Sequence, residues 1–143
     1  MKQIPKVPKR SPRAHAALGV IERRGRILIQ RRPPGKFLAG YWEFPGGKRE
    51  PGETWTACLR RELREELGVA ARIGPLIMML RYRYPGRKPV LYKVFRCSLL
   101  RGRPRPLAAS ALRWAGKREL RRLRFPPANA PLIEYLLGTT SRA

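Results

Sequence analysis

The chain has 143 residues, 43% of them hydrophobic, and carries 33 Lys plus Arg against nine acidic residues, a formal net charge of +24. That length supports one domain with a substantial core, and there is no run of 18 apolar residues to cross a bilayer. The two cysteines, Cys58 and Cys97, supply neither a disulfide framework nor a metal clip, so a reducing cytoplasm is the expected compartment.

Residues 1–13 are basic and proline-rich with no apolar stretch behind them, so the expectation is a flexible basic arm rather than a secretory signal. "AHAALGVI" (14–21) predicts a buried strand, "ERRG" a turn, and "RILIQRR" (26–32) the returning strand of a hairpin. "PPGKFLAG" is a loop by its Pro and Gly content, and "YWEFP" (41–45) a short strand. Trp55 to Leu67 is strongly helical in composition, with Gly68 as its stop. "PLIMMLRYRY" (75–84) and "KPVLYKVFRCSLL" (88–100) flank "PG" as a second, longer hairpin. An irregular loop, "RGRPRPLAAS", leads to a short strand "ALRWA" (111–115) and a helix "KRELRRL" (117–123). A last helix starts near Asn129 and stops at Gly138, which leaves a tail at 139–143. Strands alternating with two or three helices over residues 14–138, without internal repeats, predict an α/β or α+β domain with a mixed sheet.

The charge is unevenly distributed. All nine acidic residues are glutamate, and six of them (Glu43, Glu50, Glu53, Glu62, Glu65, Glu66) fall between positions 43 and 66. The arginine excess suits either a solvated surface or weak, salt-sensitive attraction of polyanions, and it speeds the arrival of a charged small substrate. The acidic segment needs a separate account. At about 100° per residue, Leu59, Leu63 and Leu67 make the core stripe of the helix, and Arg60, Arg61 and Arg64 are expected on the opposite side. Glu62, Glu65 and Glu66 stand at i, i+3 and i+4, three carboxylates on one face. A solvated face with Arg–Glu pairs is the ordinary reading of "RRELREEL". Glu53 behind a "PG" turn, together with the glycine turn in "FPGGK", favours a divalent cation held by oxygen donors, Mg²⁺ or Mn²⁺.

Gly47, five residues, Glu53, seven residues, then Arg61-Glu62-Leu63-Arg64-Glu65-Glu66-Leu67-Gly68-Val69 match every fixed position of a 23-residue signature. By that match the chain resembles the Nudix hydrolases. The resemblance implies an α/β/α sandwich with a mixed sheet and Mg²⁺-dependent cleavage of a nucleoside diphosphate linked to another group, with Mn²⁺ as a substitute. It implies that Glu62, Glu65 and Glu66 carry the metal with the Gly46 carbonyl, that Glu53 and Arg61 orient the cluster, and that Glu62 activates the water. Three further stretches, "WEFPGGK", "YPGRKPVLY" and "FPPANAP", are similar to the MutT branch, the 8-oxo-dGTP diphosphatases. By that similarity Arg32 and Arg87 contact the nucleotide, and the backbone of Glu43, Phe44 and Pro45 lines the base pocket. Asn129 reads either as a helix cap or as a base-recognising amide: oxidised guanine offers a donor beside an acceptor, and normal guanine offers two acceptors.

The expected protein is a monomer acting on a nucleoside triphosphate. Alternatives are a Nudix activity on other nucleotides or RNA 5′ ends, and a non-catalytic damage-binding module, which would have no need of the complete glutamate set. Two departures stand out: "RGRPRPLAASALRW" lacks the acid that related enzymes often carry there, and the region around Phe37 replaces an expected histidine.

Overall fold

The computed structural model describes residues 14–141, with side chains to residue 138. The N-terminal arm expected at residues 1–13 lies outside the described residues, as do 142–143 of the expected tail.

Strands β1 (Ala14–Arg23) and β2 (Arg26–Arg31) form the first hairpin. Arg24 and Gly25 close it with φ of 53° and 77°, the left-handed pair that a two-residue turn needs to match strand twist. The two strands stay paired only from Glu22↔Ile27 to Arg23↔Arg26 and then part. β1 takes β4 (Gly46–Lys48) as its antiparallel neighbour, while β2 takes β3 (Trp42–Glu43) at Gln30↔Glu43. The other edge of β2 pairs along its length with β7 (Ala111–Gly116). The other edge of β1 runs parallel to β6 (Val90–Arg101), which pairs antiparallel with β5 (Ala70–Tyr82). The sheet is therefore mixed, as expected, in the order β3-β2-β1-β6-β5 with β4 on β1 and β7 on β2.

Both faces are covered. Helix α1 (Trp55–Leu67) lays Cys58, Leu59, Leu63 and Leu67 against Ala17, Ile21, Leu28 and Phe95. On the other face, α2 (Lys117–Arg122) and α3 (Ala130–Ser141) place Leu120, Leu132 and Leu136 against Val20, Ile27, Ile29 and Phe44. Covering on both sides explains why β1 and β2 read as continuous apolar runs rather than alternating ones. Among the described residues no helix is long and apolar enough to cross a membrane.

Three elements differ from expectation. β5 starts at Ala70 rather than at Pro75, because a register shift between Ile73 and Leu76 absorbs Gly74 and Pro75 as a bulge. The glycines of "FPGGK" form strand β4 instead of a turn. The last helix begins at Ala130, after a 3-10 turn at Pro127–Asn129, and passes through Gly138 to Ser141. A glycine inside a helix costs only about 1 kcal/mol, too little to stop it.

Candidate functional site

Helix α1 has well-defined ends. Thr54 Oγ1 accepts from the Ala57 amide at 3.1 Å, and Gly68, at φ 73°, donates its N–H to the Arg64 carbonyl. With the leucine stripe pressed on the sheet, the glutamate face is turned along the edge of the sheet towards β4.

Arg61 does not lie on the far side with Arg60 and Arg64. Its guanidinium sits inside the glutamate cluster, because Arg61 and Glu65 are one helical turn apart. Nε donates to Glu53 Oε2 at 2.6 Å and Nη2 to Glu53 Oε1 at 2.9 Å, a two-pronged pairing. Nη1 reaches Glu62 Oε2 at 2.9 Å and Glu65 Oε1 at 3.3 Å. Nη2 also ties the helix to β4 through the Lys48 carbonyl at 3.0 Å. The Arg61 hydrogen bond, helped by the Glu50 amide, holds the Glu53 carboxyl down at about 2. Pairing with Glu53 in turn raises the pKa of Arg61.

Glu66 has a different environment. Its Oε1 accepts from Gln30 Nε2 at 2.9 Å and from the Gly46 amide at 3.1 Å. Burial pushes its carboxyl up to about 8, and the charges of Glu62 and Glu43 push the same way against those two donors. It is a half-buried carboxyl with no cationic partner among the described residues.

The paired glycines make this approach possible. A Cβ on Gly46, at φ 143°, would overlap the Ala17 carbonyl oxygen, and a Cβ on Gly47 would stand 2.5 Å from the Glu62 carboxylate. Glycine here lets helix and strand close on each other. The resulting donor set is all oxygen, with a Glu66 carboxyl that faces no cation among the described residues, which fits a hard divalent ion. As they stand, no three acidic, histidine or cysteine side chains among the described residues converge on one point. Arg61 holds Glu62 and Glu65, and Glu66 faces Gln30 and Gly46.

Beside this cluster lies a cavity of about 770 Å³, large enough for a nucleotide. Arg32, Glu43, Phe44, Gly46, Arg87 and Asn129 all line it. Arg32 pairs with Glu43 Oε1 at 2.7 Å and donates from Nε to the Phe37 carbonyl at 2.6 Å. Burial raises the Glu43 carboxyl even with Arg32 beside it. Arg87 stacks its guanidinium 3.7 Å above the Phe37 ring, which meets Tyr84 edge-on. Pro45 is not part of the lining: it links β3 to β4, and its carbonyl accepts from the Gly19 amide of β1 at 2.8 Å. Asn129 is 5% exposed. Its backbone N–H donates to Pro126, and its side-chain amide bonds to nothing among the described residues, so it does not cap α3.

The family profile of the NUDIX domain matches residues 16–135. The chain belongs to the Nudix hydrolases. It is 37% identical over 119 residues to the CTP pyrophosphohydrolase of Escherichia coli strain K12, covering 83% of this chain and 87% of that one. It is 35% identical over 125 residues to an 8-oxo-dGTP diphosphatase of Haemophilus influenzae, covering 87% and 91%. The solution structure of the E. coli ORF135 protein superimposes with a TM-score of 0.79 at 30% identity, covering 95% of this chain and 96% of that one.

Two residues of this Nudix site were not singled out from the sequence. Tyr84 Oη accepts from the Ala128 amide at 3.2 Å and so joins the β5–β6 loop to the turn that carries Asn129. Gln30 touches both Glu66 and Glu43. The available signal for Gln30 was a lone amide in the apolar run "RILIQRR".

Proposed function

We propose that this Nudix hydrolase is a Mg²⁺-dependent nucleoside triphosphate pyrophosphohydrolase that converts 8-oxo-dGTP to the monophosphate and pyrophosphate, cleansing the nucleotide pool. The observation that supports the base assignment is Asn129, which lines the pocket and whose side-chain amide has no hydrogen-bond partner among the described residues. An amide at a pocket wall offers one donor and one acceptor to a ligand. The edge of 8-oxoguanine supplies partners for both, N7–H to its oxygen and O6 to its nitrogen. Unmodified guanine presents a lone pair to the amide oxygen instead.

Glu62, Glu65 and Glu66 would hold Mg²⁺, which supplies neutralisation of phosphate charge and a water of lowered pKa. Glu53 fixes the Arg61 guanidinium, and Arg61 fixes Glu62 and Glu65, so the acidic face is oriented from behind. Glu62 of α1, whose carboxylate lies close to Gly47 of β4, would accept the proton of the attacking water. Arg32 and Arg87 lie at the pocket with Lys48 and Lys88, where a polyphosphate meets positive charge.

A second reading has its own support. The relative named CTP pyrophosphohydrolase is 37% identical, and an asparagine amide also complements the donor–acceptor edge of cytosine. Steady-state kcat/KM for 8-oxo-dGTP, dGTP, CTP and dCTP with Mg²⁺ separates the two. The oxidised nucleotide is expected to lead. Asn129→Ala should lower its turnover about ten- to hundredfold, the equivalent of a paired buried hydrogen-bonding group at about 1–3 kcal/mol, with dGTP much less affected. A lead for CTP selects the second reading. An Asn129→Asp variant with wild-type preference for 8-oxo-dGTP removes the base-recognition role.

A further inference from the structure

Gln30 lies on β2 beside Ile27, Leu28 and Ile29, all buried, and is itself only 1% exposed. Its two amide atoms are in unlike situations. Nε2 donates to Glu66 Oε1 at 2.9 Å and lies 3.4 Å from Glu43 Oε2, while Oε1 has no partner among the described residues. The surroundings dictate that orientation. With both carboxylates ionised, as a bound cation requires of Glu66, turning Oε1 towards them would set lone pairs against lone pairs.

The placement is as informative as the bonds. The β2–β3 register sets Gln30 directly opposite Glu43, whose other oxygen pairs with Arg32 at 2.7 Å. Glu66 continues from Gln30 to the Gly46 amide at 3.1 Å. Arg32, Glu43, Gln30, Glu66 and Gly46 thus form one polar chain. It begins at the pocket wall, passes under the glutamate helix and returns to the pocket at β4. Two carboxylates that would repel each other share one amide nitrogen between them. An apolar side chain would fill the same space without a buried unsatisfied acceptor, and so at lower cost to stability.

We propose that Gln30 is a positioning residue for the hydrolytic site: its amide nitrogen aligns Glu66 with Gly46, holds it apart from Glu43, and so ties the nucleotide pocket to the metal-binding face of α1. This rests on the reading of Glu66 as a ligand to a divalent ion. Without Nε2, Glu66 keeps the Gly46 amide as its donor and its carboxylate turns more freely. Partners that orient a ligating carboxylate typically change metal affinity 10–100-fold when removed.

The test uses the full chain and Mn²⁺ alone, followed by the electron paramagnetic resonance of the free ion, with no nucleotide present. In Gln30→Met the Mn²⁺ dissociation constant should rise about 10–100-fold. Its melting temperature in EDTA should stay within a few degrees of wild type, because an orphaned acceptor leaves with the donor. Gln30→Asn keeps the amide but is one methylene shorter, should bind Mn²⁺ as weakly, and carries the test if the methionine variant does not fold. With saturating Mg²⁺ the nucleotide KM should be nearly unchanged while kcat falls. Wild-type Mn²⁺ affinity in both variants overturns the positioning role and leaves Glu66 a ligand. A wild-type chain that binds no Mn²⁺ overturns the ligand reading and the inference together. Failure of both variants to fold makes Gln30 purely structural and also overturns it.

Discussion

Replacing Gly47 with alanine moves Glu62 and little else. The new Cβ would stand 2.5 Å from the Glu62 carboxylate, so the carboxylate must retreat by about 0.9 Å to reach ordinary contact at 3.4 Å. Gly47 is not among the glycines with positive φ, so the backbone accepts alanine without strain. Weakening the Arg61–Glu62 bond, 2.9 Å in the native chain, costs about 0.2–1 kcal/mol for a partly exposed pair. The smaller conformational freedom of unfolded alanine offsets about 0.4–1 kcal/mol of that. Melting temperature should therefore stay within about 3 °C of wild type. Activity should not: Glu62 is the proposed base, and a misplacement of about 1 Å at a reacting group costs about 10²-fold. Gly46→Ala is the contrasting control. Its φ is 143° and its Cβ would overlap the Ala17 carbonyl of the neighbouring strand, an atom that cannot swing aside. Backbone strain of about 1–3 kcal/mol plus the clash should lower the melting temperature by roughly 5–10 °C or more. The assay is a thermal melt in EDTA beside kcat at saturating Mg²⁺. Full kcat in Gly47→Ala, or a melting temperature as low as that of Gly46→Ala, refutes the reasoning.

Glu66 makes stability depend on pH. In the metal-free fold it keeps its proton up to about 8, whereas an ordinary glutamate loses it near 4.5. Between those values the native state binds the extra proton, so this stabilisation is fully present below 4.5 and is lost as pH rises through 8. In EDTA the melting temperature should fall from pH 5 to pH 8.5, and Glu66→Gln should flatten that fall; parallel profiles for the two proteins would contradict the burial argument. Arg61→Lys replaces a fork that grips both oxygens of Glu53 and reaches Glu62, Glu65 and the Lys48 carbonyl with a single ammonium. It should lower kcat by about 10²-fold with nucleotide KM little changed, measured by initial rates at saturating Mg²⁺, and retention of full kcat would show that Arg61 does not orient the glutamates.

Helix α1 was legible residue by residue, from Trp55 to the stop at Gly68, because capping, helical period and a leucine stripe are all local properties of the chain. The strands of both hairpins were legible for the same reason, apart from the start of β5 at Ala70, and the spacing of Gly47, Glu53 and residues 61–69 was enough to name the family. What lies between elements was not. The strand at Gly46–Lys48 exists because β1 and β2 part and leave an edge for it, a consequence of pairing between distant segments. Pro45 gives its carbonyl to Gly19 for the same reason. Arg61 joins the glutamates because Glu53 and the Lys48 carbonyl, eight and thirteen residues away, are folded against it. Asn129 faces the pocket rather than capping a helix because a 3-10 turn precedes α3. Gln30 takes its meaning from Glu43 across the strand pair and Glu66, 36 residues on, across the layer. Period and caps are written in neighbouring residues, whereas the partner of a buried polar group is chosen by whichever distant segment the sheet brings beside it.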